Sequence, residues 1–354
     1  MEIRIEKTKN PRQRPPVGDK SFGKYFTDHM FVMDYEDGKG WNSPAIVPYA
    51  PFQAEPAMMV FHYGQAVFEG LKAYKTDDGR ILLFRPQKNF ARLNASDERL
   101  CIPALDEEFV LKALIELIKI DADWIPTDEN TALYIRPFVI ATEPALGVHP
   151  SHTYKFMIIL SPVGPYYAEG LNAVKIYVED EYVRSVKGSI GFTKATANYA
   201  ISLKGQEKAM QKGFTQVLWL DGVHRKYVEE VGTMNIFFKI GGKFVTPVLE
   251  GSILPGVTRD SVIQIAKSWG FEVEERKIEI GEIFKAYEDG TLEEIFGSGT
   301  AAVVSPVGEL YWEGKTIVIG ERKIGEYSQK LYDELTGIQY GRLEDRFGWT
   351  VEVR

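Results

Sequence analysis

Residues 296–312 read FGSGTAAVVSPVGELYW. The opening FGSGTAA contains G-x-G-x-x-A, which formally fits a dinucleotide-binding fingerprint. That fingerprint needs a strand before it and a helix after it. The residues after FGSGTAA are β-branched, contain Pro306 and have no helical period. The dinucleotide reading therefore fails on context. A turn remains that exposes backbone N–H groups and the Thr300 hydroxyl, and such a turn can hold an anion.

Outward from this stretch, strands and helices mix without strict βαβ alternation. AVKIYVED (173–180) and QVLWLDG (216–222) read as strands. YAISLKGQEKAMQKG (199–213) reads as a helix ending at a glycine. MNIFFKIGGKFVTPV (234–248) reads as a hairpin turning at Gly241-Gly242. TRDSVIQIAKSWG (258–270) and IGEYSQKLYDELTGIQYG (324–341) are amphipathic helices. In the first half, FVMDY, IVPYAPF and ILLFR are short strands, with EDGKG and TDDGR as turns. RPQKNFARLNASDERL (85–100) is helical after Pro86, and DEEFVLKALIELIKIDADWI (106–125) keeps the 3.6-residue period. ALYIRPFVI and YKFMIILSPV are buried strands by length and β-branched content. Turn-rich GPYYAEGLNA marks an interdomain linker. The mixture favours an α+β fold in two domains: 1–163, a linker at 164–174, and 175–354.

Composition bounds the function. The chain has 354 residues, 44% hydrophobic and 26% charged, as ordinary soluble domains do. Its single cysteine, Cys101, excludes an internal disulfide and a cysteine zinc site. The net charge of −8 is not the basic footprint of a nucleic-acid binder. No apolar run approaches the roughly 20 residues that span a bilayer. The start, MEIRIEKTKNPRQRPP, is charged where a signal peptide would be apolar. A cytoplasmic protein with neither nucleic-acid nor membrane partners is expected.

The local chemistry leaves alternatives open. His149 and His152 are the only close histidines, and two ligands do not make a metal site, so no metal is expected. In GSILPGVTRDSVIQIAK (251–267) a helix begins near Thr258. It is either an ordinary helix capped by Thr258 or a phosphate site that Gly256 lets close to the backbone. Lys194, among small residues with no acid nearby in sequence, is a surface lysine or a desolvated amine suited to Schiff-base chemistry. Glu229-Glu230 before Val231-Gly232-Thr233 is ambiguous, since acid pairs usually face solvent. Arg85, Arg92 and Arg136 sit in apolar text, which suits either a cleft or a buried ion pair. RLCIPAL suggests a buried, inert Cys101.

Nine stretches in one order carry a resemblance: FGKYFTDHM, FHYGQAVFEGLKAY, LFRPQKNFARL, LYIRPFVI, ALGVHP, GFTKATANY, EEVGTMNIF, ILPGVTRDS and FGSGTAA. From about Phe22 onward the chain resembles the branched-chain amino acid aminotransferases. These are class IV, pyridoxal 5'-phosphate-dependent enzymes with the two-domain D-amino-acid-aminotransferase-like α+β fold (fold type IV). The resemblance implies reversible transfer of the amino group of leucine, isoleucine or valine to 2-oxoglutarate by a ping-pong mechanism. It also implies a homodimer with active sites near the subunit interface.

Carried over, Lys194 holds the cofactor as an internal aldimine and shuttles the proton. Glu230 pairs with the pyridine nitrogen. Tyr199 meets the ring oxygen. Arg92, the Val257 and Thr258 amides and the Thr300 hydroxyl hold the phosphate. The Thr300–Ala301 turn, with Thr233, receives the substrate α-carboxylate. Phe22, Tyr63, Phe68, Tyr134 and Tyr166 line an apolar side-chain pocket, and Val148 reaches the pocket of the neighbouring subunit. Arg136 with Tyr134 takes the distal carboxylate of glutamate. Where mammalian relatives carry Cys-x-x-Cys after the GTA turn, this chain has Ala302 and Ser305, so no thiol switch can operate there. A D-amino-acid aminotransferase or an aminodeoxychorismate lyase of the same fold is the alternative.

Overall fold

The computed structural model describes residues 1–16, 21–164 and 171–354. The chain forms two compact units. The first is Met1–Pro165 with Thr193–Thr196 and Gly337–Arg354; the second is Tyr166–Phe192 with Ala197–Thr336. One boundary at 164–174 therefore does not divide the chain, because two later pieces return to the first unit. The reason is backbone pairing. Thr350–Glu352 pairs antiparallel with Ile81–Phe84, and Ala195 bridges Val67. Of the expected linker, residues 165–170 lie outside the described residues, and Tyr166 with them.

Among the described residues, the first unit is built on a nine-stranded sheet. Its order is Arg4–Ile5, Gly40–Pro48, His29–Glu36, Thr153–Val163, Ala132–Ala141, Leu71–Lys75, Ile81–Phe84 and Thr350–Glu352. Ala66–Phe68 pairs beside this path with Ala132–Ala141. The two-residue period of Ala132–Ala141 decides what faces where. Leu133, Ile135, Val139 and Ala141 join the core, while Tyr134 and Arg136 take the opposite face. Two helices cover the core. Pro86–Arg99 has Pro86 in its first turn, where a missing N–H costs nothing. Glu107–Ile120 is capped by Asp106, which accepts from the Phe109 amide at 3.0 Å.

In the second unit, Val228–Val231, Gln216–Leu220, Val174–Glu179, Val303–Trp312, Leu292–Gly299 and Met234–Ile240 follow one another in the sheet. Val228–Val231 also pairs with Met234–Ile240, so these strands close into a barrel. Closure pairs each of these six strands on both sides. The 296–312 stretch is the strand–turn–strand expected, with a turn at 300–302 and no helix after it. Helix Ala197–Gln211 packs closely through Gly205, where a Cβ would meet the buried Trp219 ring at 2.6 Å. The Gly241-Gly242 hairpin turn forms as read, both glycines at positive φ.

Asp97 is fully buried in Pro86–Arg99, and neither carboxyl oxygen has a hydrogen-bond partner among the described residues. Burial pushes its carboxyl well above the ordinary value. The folded state therefore binds a proton that the unfolded state has released. The linked stability is complete below the ordinary carboxylate value and is lost as pH rises from there toward the raised folded value. Asp97→Asn removes the ionisation and is expected to gain on the wild type as pH rises. The gain should be larger at pH 8 than at pH 5, because only the wild type loses this linked stability as pH rises. Urea unfolding at pH 5 and pH 8 measures it, and a difference that does not grow with pH would contradict it.

Cys101 corrects the sequence reading. It follows the helix end in a left-handed conformation, φ 56°, and its side chain is exposed while Ile102 takes the buried place. A native thiol titration is therefore expected to report one reactive cysteine, and Cys101→Ser none.

Candidate active site

Lys194 reaches its place through its backbone. Its carbonyl accepts from the Phe68 amide at 3.1 Å, and its amide donates to Ser96 Oγ at 2.9 Å. Ser96 Oγ in turn donates to the Arg92 carbonyl at 3.0 Å. The Lys194 side chain is half-buried, and its Nζ lies 5.0 Å from the centre of the Phe68 ring.

An acid does stand near Lys194, although none is near in sequence. Glu69 is fully buried and accepts from Arg92 Nε at 2.7 Å, Arg92 Nη2 at 2.9 Å and Asn89 Nδ2 at 2.8 Å. Burial alone would raise this carboxyl. Arg92, Lys194 and Asn89 together outweigh burial and hold it below the ordinary value. Arg92 is thus oriented by a bidentate acid partner. Sequence reading found Arg92 but missed Glu69 and Asn89. The signal was present in Phe68-Glu69-Gly70, an acid between apolar and small residues.

Arg136 and Tyr134 share the non-core face of their strand. Arg136 Nη2 donates to the Tyr134 hydroxyl at 3.1 Å. The guanidinium lies 4.5 Å from the Phe68 ring centre, and Phe22 packs edge-on to Tyr134 at 4.8 Å. Arg136 Nε is buried with no hydrogen-bond partner among the described residues. Lys72 stands directly opposite Tyr134 in the ladder, and burial lowers its amine to about 8. Arg85 is not part of this group: it stacks on Trp349 at 4.8 Å and stands at the N-cap of a helix. Tyr63 donates its hydroxyl to the Leu146 carbonyl, and Val148, farther along that loop, is 85% exposed.

The second unit holds the acid pair, and both members are buried, not solvated. Alternation along Val228–Val231 sends them to different partners. Glu230 Oε1 accepts from the Leu254 amide at 2.9 Å, and Oε2 lies 3.0 Å from Arg184 Nε. Asn235, opposite Glu230 in the ladder, donates to the Leu254 carbonyl at 2.9 Å. Arg184 also donates to the carbonyls of Gly191 and Ser252. Glu229 instead accepts from Ser252 Oγ. Burial raises its carboxyl, against the lowering effect of Ser252 and Arg184. A cavity of about 210 Å³ lies on the Glu229 side, lined also by Ser252 and Asp221.

Helix Val257–Ser268 begins at Gly256, and Thr258 is inside it instead of capping it. A Cβ on Gly256 would strike Asn235 Oδ1, so close approach demands glycine here. The helix start has no side-chain cap, which leaves its end suited to an anion. Ladder pairing Asn235↔Ser298 brings the Gly232-Thr233 turn and the 300–302 turn to one end of the barrel. Thr233 is exposed and Thr300 and Ala301 half-buried. Ser298 Oγ in the same row is buried without a partner among the described residues. Tyr199 is half-buried in the first turn of Ala197–Gln211. Lys194, Arg92, Phe22, Tyr63, Phe68, Tyr134, Arg136 and Val148 thus belong to the first unit. Tyr199, Glu230, Thr233, Val257, Thr258, Thr300 and Ala301 belong to the second.

Among the described residues, no helix is long and apolar enough to cross a membrane. Residues 66–310 match the family Amino-transferase class IV. Branched-chain-amino-acid aminotransferase 2 of Bacillus subtilis is 61% identical over 351 residues, 99% of this chain and 97% of that protein. The Escherichia coli branched-chain amino acid aminotransferase superposes with a TM-score of 0.77 at 26% identity, covering 92% of this chain and 99% of that one. The branched-chain aminotransferase of Thermoproteus uzoniensis with norvaline gives 0.75 at 26% identity, over 92% and 100%. This chain belongs to the Amino-transferase class IV family and, within it, to the branched-chain-amino-acid aminotransferases.

Proposed function

We propose that this transaminase moves the amino group of leucine, isoleucine or valine to 2-oxoglutarate, with pyridoxal 5'-phosphate as cofactor, as a cytoplasmic homodimer. One observation carries the reading: a single aromatic ring, Phe68, holds both the Lys194 amine and the Arg136 guanidinium, 5.0 and 4.5 Å from its centre. An apolar surface with one cation beside an amine suits an aliphatic side chain and a distal carboxylate in turn. The donor set also fits the cofactor. The uncapped helix start suits a phosphate, and the buried Glu230 carboxylate suits a protonated ring nitrogen. A branched-chain aminotransferase of 26% identity and TM-score 0.75 has been crystallised in complex with N-(5'-phosphopyridoxyl)-L-glutamate.

When bound, the cofactor supplies the electron sink for the substrate's Cα carbanion. Lys194 would hold it through Nζ and would move the proton at the substrate Cα. Glu230 holds the proton on the ring nitrogen, and Tyr199 donates to the ring oxygen. Arg92, the Val257 and Thr258 amides and Thr300 bind phosphate. The Thr300–Ala301 turn and Thr233 take the α-carboxylate. Phe22, Tyr63, Phe68 and Tyr134 exclude water from the side chain, Tyr166 is proposed with them, and Val148 serves the neighbouring subunit. Glutamate formation from each branched-chain amino acid with 2-oxoglutarate tests the reading. Parallel double-reciprocal lines are expected. Turnover of D-amino acids alone would favour the D-amino-acid aminotransferase alternative, and pyruvate release from aminodeoxychorismate the lyase.

Arg136→Ala is expected to separate the half-reactions. Loss of a charge-assisted contact to the distal carboxylate costs about 1.5–3 kcal/mol, roughly ten- to a hundredfold in specificity for dicarboxylates. Leucine has no group for Arg136, so its half-reaction should change much less. Single-turnover spectroscopy follows each donor separately. Equal losses with leucine and glutamate would make Arg136 a structural residue.

A further inference from the structure

Two histidines that sequence spacing left one ligand short acquire that ligand from the fold. The strands Ala132–Ala141 and Thr153–Val163 are joined by a loop over 142–152. Its base is closed by the Thr142 amide donating to the Thr153 carbonyl at 2.9 Å. Glu143 at one end of the loop, and His149 and His152 at the other, place one potential ligand atom each within 4.8 Å of one another. Glu143 is pinned: its Oε2 accepts from the His152 amide at 2.8 Å, and its Oε1 lies 3.9 Å from His149 Nε2.

The tautomers are arranged as well. His149 Nδ1 lies 2.9 Å from the Pro150 carbonyl, an acceptor only, so this nitrogen carries the proton. His152 Nδ1 lies 2.7 Å from Asp37 Oδ2, on the turn between His29–Glu36 and Gly40–Pro48. Both Nδ1 atoms are therefore occupied as donors, and Nε2 of each neutral ring carries the lone pair. A metal-bound histidine has this arrangement: its second nitrogen is held by a carboxylate or a backbone carbonyl. The rings sit 5.3 Å apart and tilted by 32°, compatible with convergence on one ion.

The geometry points to a divalent transition-metal site formed by Glu143 and the Nε2 atoms of His149 and His152, with Asp37 orienting His152. Two imidazoles and one carboxylate with an open fourth position match zinc. Bonds of about 2.0–2.2 Å place ligand atoms roughly 3.4 Å apart. Ligand atoms up to 4.8 Å apart must therefore close by as much as about 1.4 Å, which two exposed rings can do by rotation. The ion would tie both ends of the loop that carries Val148.

The test is calorimetric titration of zinc chloride into the tag-free, cofactor-loaded full chain after chelator treatment. One zinc per chain is expected. His149→Gln and His152→Gln should abolish that binding, and Asp37→Asn should weaken it roughly ten- to a hundredfold. His224→Gln, an exposed histidine outside the cluster, should bind as the wild type does. Far-UV circular dichroism confirms that the variants, all at exposed side chains, stay folded. No zinc uptake by the wild type, or uptake unchanged in both cluster-histidine variants, would overturn the site.

Discussion

Lys194→Ala is expected to lose transamination by at least about two to four orders of magnitude while remaining folded. The rate loss follows from removing the group that anchors the cofactor and moves the proton, a step worth about 10²–10⁴-fold. The fold survives because the strand-like contacts of Lys194 are made by its backbone, to Phe68 and Ser96. Glu69 would lose one nearby charge but keep Arg92 and Asn89, so no buried acid is left unpaired. Steady-state rates with leucine and a thermal melt together check both halves. Near-wild-type turnover would remove Lys194 from the chemistry.

Glu230→Gln is expected to retain cofactor and lose activity by about 10²-fold or more. An amide can still accept from Leu254, but it cannot stabilise a protonated ring nitrogen, and Arg184 loses its anion. Glu229→Gln is the informative control. Sequence reading expects a mild effect if Glu229 is solvated. The structure gives another reason for the same outcome: Glu229 is buried with a raised carboxyl, and a glutamine mimics the neutral acid. Glu229→Ala should be harsher, since Ser252 Oγ would lose its acceptor. A reversal of the two glutamine effects would mean that the register of the acid pair is misassigned.

The features legible in the sequence were local. Pro86 and Asp106 mark their helix starts, Gly241-Gly242 its hairpin, and the proline and β-branched run after 302 a strand. These signals act over a few residues, through φ restriction, capping and side-chain period. Helix Ile280–Glu288 carries the same legible period at Ile280, Ile283 and Phe284.

Pairings across the chain were not legible. Glu69 and Arg92 meet across a strand–helix junction, and the return of Thr193–Thr196 and Gly337–Arg354 to the first unit depends on distant backbone partners. Burial at single positions is not legible from the local text. Glu229-Glu230 is buried because its strand is part of a closed barrel, and Cys101 is exposed because the chain turns left-handed there. For the site, resemblance supplied the roles. The structure adds the partners that orient Arg92 and Glu230, namely Glu69 and Arg184.

The most direct test of the central claim is peptide mapping by mass spectrometry after borohydride reduction of the cofactor-loaded protein. Reduction fixes whatever lysine holds the cofactor. The expected result is a phosphopyridoxyl group on Lys194 alone, with loss of the visible absorption band. A modified lysine elsewhere, or a colourless protein with no modified peptide, would contradict the account.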